Sequence, residues 1–91
     1  MDYKKYNTVQ EIEAHLKELK EIKQIIIDAL NVEKEEQNMY LYRLKKLPGD
    51  EETLDEINSE IVRLNLRLND VNNAIKFYTK ELNNLLQAQP Q

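Results

Sequence analysis

Ninety-one residues with a formal charge of −4 make one domain at most, and 33% of them are charged. The absence of cysteine excludes disulfide and thiol chemistry, and no apolar run approaches the roughly 18 residues that span a bilayer. The charge has the wrong sign for a protein that coats nucleic acid and is too small for a disordered acidic tail.

Residues 1–7 read as an N-terminal tail. Met1-Asp2-Tyr3-Lys4-Lys5-Tyr6 has no apolar core behind it and is not a secretory signal, so cytoplasm is the expected location. The abundance of Asn, Lys and Ile points to an AT-rich genome, such as that of a low-GC bacterium or its phage. Thr8 with Glu11 fits a capping box and Ile12 begins an apolar pattern, which predicts a first helix over 8–46. Lys45 and Lys46 suit the negative end of its dipole, and Pro48-Gly49 ends it. After a turn at 47–50, Asp50 is an N-cap with Glu51 and Glu52 in the first turn, opening a second helix over 51–87. Residues 89–91 form a C-terminal tail, and 8–88 a single helical-hairpin domain. So short a connection makes the helices antiparallel neighbours.

The second helix carries the strongest pattern in the chain. Leu54, Ile57, Ile61, Leu64, Leu68, Val71, Ile75, Tyr78, Leu82 and Leu85 alternate steps of three and four without a slip. A period of 3.5 requires another helix along the whole stripe, so these ten positions are the expected intramolecular seam. Setting Leu44 opposite Leu54 brings Leu41 to Ile57, Leu30 to Leu68, Ile27 to Val71 and Leu16 to Leu82. It also places Gln37, Lys34 and Lys23 opposite Ile61, Leu64 and Ile75. A buried ammonium is costly, so these lysines should snorkel outward, or the helix should roll to offer Ile22 or Ile26.

A second stripe, Ile22, Ile25, Ala29, Val32 and Met39, runs along another face of the first helix, with a weaker one at Val62, Leu66 and Phe77 on the second. A hairpin buries one seam only, so these residues predict self-association. The expected fold is therefore all-α: an antiparallel two-helix coiled-coil hairpin dimerising into a four-helix bundle.

Other constellations have plain readings. His15, between Glu11 and Glu18, has no Cys or second His to complete a metal site and reads as a surface histidine. No cofactor is implied. Asp50, Glu51, Glu52, Asp55, Glu56 and Glu60 compensate the helix dipole and pair with Arg43, Lys45 and Lys46 across the hairpin. Asn58, Asn65 and Asn72 recur every seven residues beside the seam, where a polar ladder is possible. Met39, Tyr40, Tyr42 and Arg43 combine residue types enriched at interface hot spots and form the candidate partner-binding set. Tyr3 and Tyr6, interleaved with Lys4 and Lys5, either staple the tail to the bundle or dock elsewhere.

Catalysis finds no residues to carry it. The all-helical chorismate mutases need several convergent arginines, and the first helix holds only Arg43. The sporulation aspartyl-phosphate phosphatases place an Asp four residues after a Ser, where Ser59 is followed by Arg63. In plan the chain resembles the plasmid-encoded RNA-binding hairpins that dimerise into four-helix bundles. Its cations Lys17, Lys20, Lys76 and Lys80 are diluted by Glu13, Glu18, Glu21 and Glu81, so nucleic acid is not the expected partner. The expected function is a non-enzymatic protein–protein interaction module, as in a small phage or mobile-element accessory protein that modulates a host protein. An assembly factor or a secretion chaperone is the alternative.

Overall fold

The structure, a computed structural model, describes residues 3–46 and 51–88, with backbone alone at 44–46. The Pro48-Gly49 turn, the Asp50 cap and the pairing of Leu44 lie outside those residues, as do the side chains of Lys45 and Lys46. Two 38-residue helices, α1 (Val9–Lys46) and α2 (Glu51–Ala88), pack against each other as a hairpin. They form two compact units. Unit 1 joins Met1–Gln24 to Asn69–Gln91, and unit 2 is Ile25–Leu68.

Unit 1 has a closed core. Ile12, Leu16 and Leu19 from α1 bury against Ala74 and Tyr78 from α2, and Ile12 keeps only 1% of its surface. Val71, Ile75, Leu82 and Leu85 pack around them. The start of α1 explains why Ile12 sits so deep. Thr8 Oγ1 accepts the Glu11 N–H at 3.2 Å, and the Thr8 hydroxyl donates to the Glu11 carboxylate at 3.0 Å. The Ile12 N–H then closes the first turn on the Thr8 carbonyl at 3.2 Å. Capping of this kind satisfies backbone donors that the helix leaves over, and it fixes the angle at which the chain enters.

Unit 2 has a thinner core. Ile26 and Leu30 of α1 and Ile57 and Leu64 of α2 are buried, with Leu54, Ile61 and Leu68 half-buried. Ile26, not Ile22, is buried at the seam; Lys34 is exposed, whereas Lys23 stays half-buried at a seam position of its own. In neither unit is any of the ten expected α2 positions exposed.

The register differs from the expected one. Leu41, expected opposite Ile57, is 45% exposed. Gln37 takes its place, with its side-chain amide donating to Asn58 Oδ1 at 2.7 Å. In unit 1 the His15 and Tyr78 rings meet at 4.6 Å, whereas the expected alignment sets position 15 near position 83. Each contact lies about one helical turn from the expected alignment. On this register the α1 seam is Val9, Ile12, Leu16, Leu19 and Lys23 in unit 1, then Ile26, Leu30, Glu33, Gln37 and Tyr40 in unit 2. These ten alternate steps of three and four as the α2 seam does, and none is exposed. The physical reason is the polar residues. A search for apolar partners favours Leu41 for Ile57, yet that alignment leaves Gln37 facing Ile61 with nothing to bond. The observed register gives its amide an acceptor, and among the described residues no buried side-chain polar atom lacks a hydrogen bond.

Candidate interaction surfaces

Among the described residues, most of the large apolar side chains that are exposed belong to unit 2. On α1 these are Ile25, at 67% exposure, with Val32, Met39 and Leu41; on α2 they are Val62 and Leu66, the latter at 63%. Ala29 of the expected second stripe is half-buried, and Ile22, in unit 1, is exposed. Glu36 occupies the stripe position between Val32 and Met39.

These residues make two surfaces, not one. Ala29 and Glu36 each immediately precede a seam residue of α1, Leu30 and Gln37, and Ile25, Val32 and Met39 lie on the same flank. Val62 immediately follows the seam residue Ile61 and, with Leu66, lies toward the back of α2. In an antiparallel pair, the flank preceding the seam on one helix adjoins the flank preceding it on the other. The α1 stripe and the Val62–Leu66 patch therefore face different ways, and a flat contact on the stripe leaves the patch uncovered.

The Met39, Tyr40, Tyr42 and Arg43 set is also divided. Tyr40 is half-buried at the seam, and the Arg43 guanidinium lies 5.5 Å from its ring centre, a cation–π distance. Met39 and Arg43 fall on the stripe flank, whereas Tyr42 projects from the back of α1 and is exposed. Successive residues of a helix turn by about 100°, so four near neighbours in sequence do not share one face.

Unit 1 holds an aromatic cluster that the sequence reading left undecided. Tyr3 stacks on Phe77 with ring centres 4.6 Å apart and meets the edge of Tyr78 at 5.9 Å. Tyr6 lies between His15 and Tyr78, at 5.2 and 5.7 Å, and Phe77 meets Tyr78 at 5.0 Å. The Tyr78 hydroxyl donates to the Lys4 carbonyl at 2.6 Å. Four of the six aromatic residues and the single histidine thus gather around the tail. Burial pushes the Tyr78 phenol pKa up, helped by the nearby Tyr6 and Tyr3 hydroxyls. One open alternative closes here and one expectation changes. Tyr3 and Tyr6 staple the tail to the helices, and His15 is half-buried among rings, 3.8 Å from a Glu18 carboxylate oxygen. The small Ala74, one residue before the expected seam position Ile75, is the more deeply buried of the two. A straight helix drifts from a strict 3.5 period by about 20° per heptad, and the tail offers cover on the side toward which it drifts.

Elsewhere in unit 1, an open groove of about 490 Å³ has a Leu16–Leu82 floor and a rim of Glu13, Lys17, Lys20, Glu21 and Gln24. Two acids and two bases share that rim. Of the acids near the start of α2, Glu51 and Glu52 stand in its first turn as expected, whereas Glu60 is paired differently. Glu60 takes two hydrogen bonds from Arg63 on its own helix, one of them from Nε at 2.9 Å. This contact holds the Glu60 carboxyl below its ordinary pKa and raises that of Arg63. Arg43, expected to serve those acids, lies on Tyr40. Of the asparagines spaced by seven, Asn58 bonds across the helices to Gln37, whereas Asn65 is exposed.

Among the described residues no His, Asp and Glu side chains gather in threes as metal ligands would, and no helix is long and apolar enough to cross a membrane. No protein family, curated protein or solved structure shows a significant match to this chain.

Proposed function

We propose that this protein is a non-enzymatic helical interaction module that self-associates, two hairpins forming a four-helix bundle, and that it also binds a second protein. The concentration of exposed large apolar side chains in unit 2 carries this reading. Isolated surface leucines are ordinary, but contiguous apolar stripes on one small unit mark contact surfaces. Self-association is assigned to the α1 stripe of Ile25, Ala29, Val32 and Met39. The Val62–Leu66 patch, which faces elsewhere, is left for the second protein. On composition alone, the setting we favour is the bacterial cytoplasm, with the protein a phage or mobile-element accessory factor that modulates a host protein.

Light scattering tests the first part. Wild-type protein should have twice the chain mass, and Ile25→Asp should be monomeric with its helical circular dichroism retained. Unchanged mass in Ile25→Asp removes the stripe from the contact, and a monomeric wild type overturns self-association. For the second part, a host protein captured by wild type should be lost with Leu66→Asp and kept with Ile25→Asp. The reverse result would move the docking surface to the stripe.

A further inference from the structure

From the charges on the α1 stripe we infer that the second copy lies antiparallel to the first, α1 against α1, with a two-fold axis at Val32. The inference rests on the self-association reading and adds its geometry.

Within unit 2 the stripe runs Ile25, Ala29, Val32, Glu36, Met39, with Arg43 one step beyond. A two-fold axis parallel to the helices would set every residue on its own twin. Glu36 would then meet Glu36 of the second copy in the middle of the contact, and Arg43 would meet Arg43. Like charges desolvated at an interface centre oppose association, and the small Ala29 facing Ala29 would leave a gap beside them. Turning the second copy end for end removes all three problems. Ile25 then packs on the flexible Met39 of the other copy, and Val32 packs on Val32. Each Glu36 extends its methylenes over an Ala29, where the missing side chain leaves room, and its carboxylate reaches solvent. The two Arg43 side chains go to opposite ends. The antiparallel arrangement also opposes the two helix dipoles. Asp28 and Glu35 flank the contact in both arrangements and do not separate them.

Because the chain contains no cysteine, single substitutions report the geometry directly. Ile25, Val32 and Met39 are exposed, so cysteine at each leaves the hairpin core intact. Under a mild thiol–disulfide redox buffer, at a concentration where wild type is dimeric, Val32→Cys should form a disulfide-linked dimer. It should do so on the order of ten-fold or more faster than Ile25→Cys, since a dimer holds facing thiols at high effective concentration. Ile25→Cys mixed with Met39→Cys should give the mixed disulfide in preference to either self-linked product. A parallel pair predicts the opposite: Ile25→Cys links to itself as fast as Val32→Cys, and the mixed product is minor. That result overturns the antiparallel geometry while the mass by light scattering still shows a dimer. Slow linking of all three variants alongside a monomeric wild type overturns the geometry and the self-association reading together.

Discussion

Units 1 and 2 are built from the same two helices and the same alternation of three and four, yet they bury their side chains differently. Unit 1 sets Val9, Ile12, Leu16 and Leu19, with Lys23 as its one polar member, on its α1 seam and adds a tail whose tyrosines pack against it. Unit 2 spends two of its five α1 seam positions on Glu33 and Gln37, while Ile25, Val32 and Met39 stand outside. Charge follows the same division. Unit 1 contains seven acids and seven bases, whereas unit 2 contains ten acids and six bases and so carries the whole net −4. A repeat of 3.5 therefore specifies where two helices meet, but not how much each stretch of the meeting contributes. Unit 1 buries most of its apolar side chains within the chain, with Ile22 and Leu86 the large ones exposed among its described residues. Unit 2 keeps apolar surface in reserve, which is what an interaction module needs.

The largest test of this contrast deletes the same atoms in each unit. Ile12→Ala in unit 1 should cost about 2–5 kcal/mol, the usual range for truncating a buried isoleucine in a well-packed core. Ile25→Ala in unit 2 should change the stability of the hairpin itself by within about 0.5 kcal/mol, as exposed substitutions do. Urea unfolding followed by circular dichroism, at a concentration low enough to hold the chain monomeric, measures both. Equal losses would mean that the units do not differ in the way their burial indicates.

Alkali gives a smaller effect confined to unit 1. The Tyr78 phenol must be protonated to donate to the Lys4 carbonyl, and burial raises its pKa in the fold. A group whose folded pKa is raised contributes stability that is fully present below its unfolded value, about 10 for a tyrosine. That contribution is lost as the pH climbs through the higher folded value. The tail should thus stay clasped through neutral pH and detach only at a pH above about 10. Tyrosinate absorbance should show one of the five tyrosines ionising late, and the late component should vanish in Tyr78→Phe. At neutral pH the same substitution should cost about 0.5–1.5 kcal/mol, one neutral hydrogen bond, and should speed tryptic cleavage after Lys4 and Lys5. Unaltered cleavage would detach the tail from the account of unit 1.

How far the sequence reveals this arrangement also depends on the unit. The hairpin and the α2 seam are legible because ten residues in strict alternation leave an isolated helix no other way to bury them. The α1 seam is more legible in unit 1, where every member but Lys23 is apolar. In unit 2 an apolar-only search passes over Glu33, sets Gln37 against Ile61 and settles on Leu41 for Ile57, and the error displaces the register by a turn. Periodicity does not register a hydrogen bond such as that of Gln37 to Asn58. The aromatic cluster is hidden for another reason. Tyr3 and Tyr6 lie outside any helix and owe their place to Phe77 and Tyr78, more than seventy positions away. Two signals were available. Tyrosines three apart stand just before a capped helix, and an aromatic pair sits near the far end of the chain. The second stripe is visible from spacing alone, but its separation from Val62 and Leu66 needs the register.

The smallest effect concerns the polar layer of unit 2. Gln37 is half-buried and bonded to a half-buried Asn58, so its amide is removed from water only in part. Gln37→Leu adds apolar surface to the seam and deprives Asn58 of a donor that water can replace. Those changes oppose each other, and the net should be neutral or stabilising by less than about 1 kcal/mol. What should suffer is specificity. With leucine at 37, the native register and the one displaced by a turn both present an apolar side chain at that position, an ambiguity that a polar residue within a coiled-coil seam normally prevents. Gln37→Leu should therefore keep its urea midpoint while amide exchange within 51–61 of α2 becomes faster and less uniform. A fall in stability beyond about 1.5 kcal/mol, with exchange unchanged, would make this hydrogen bond a main support of unit 2. Unit 2 would then be as self-sufficient as unit 1, held by polar contacts in place of apolar ones.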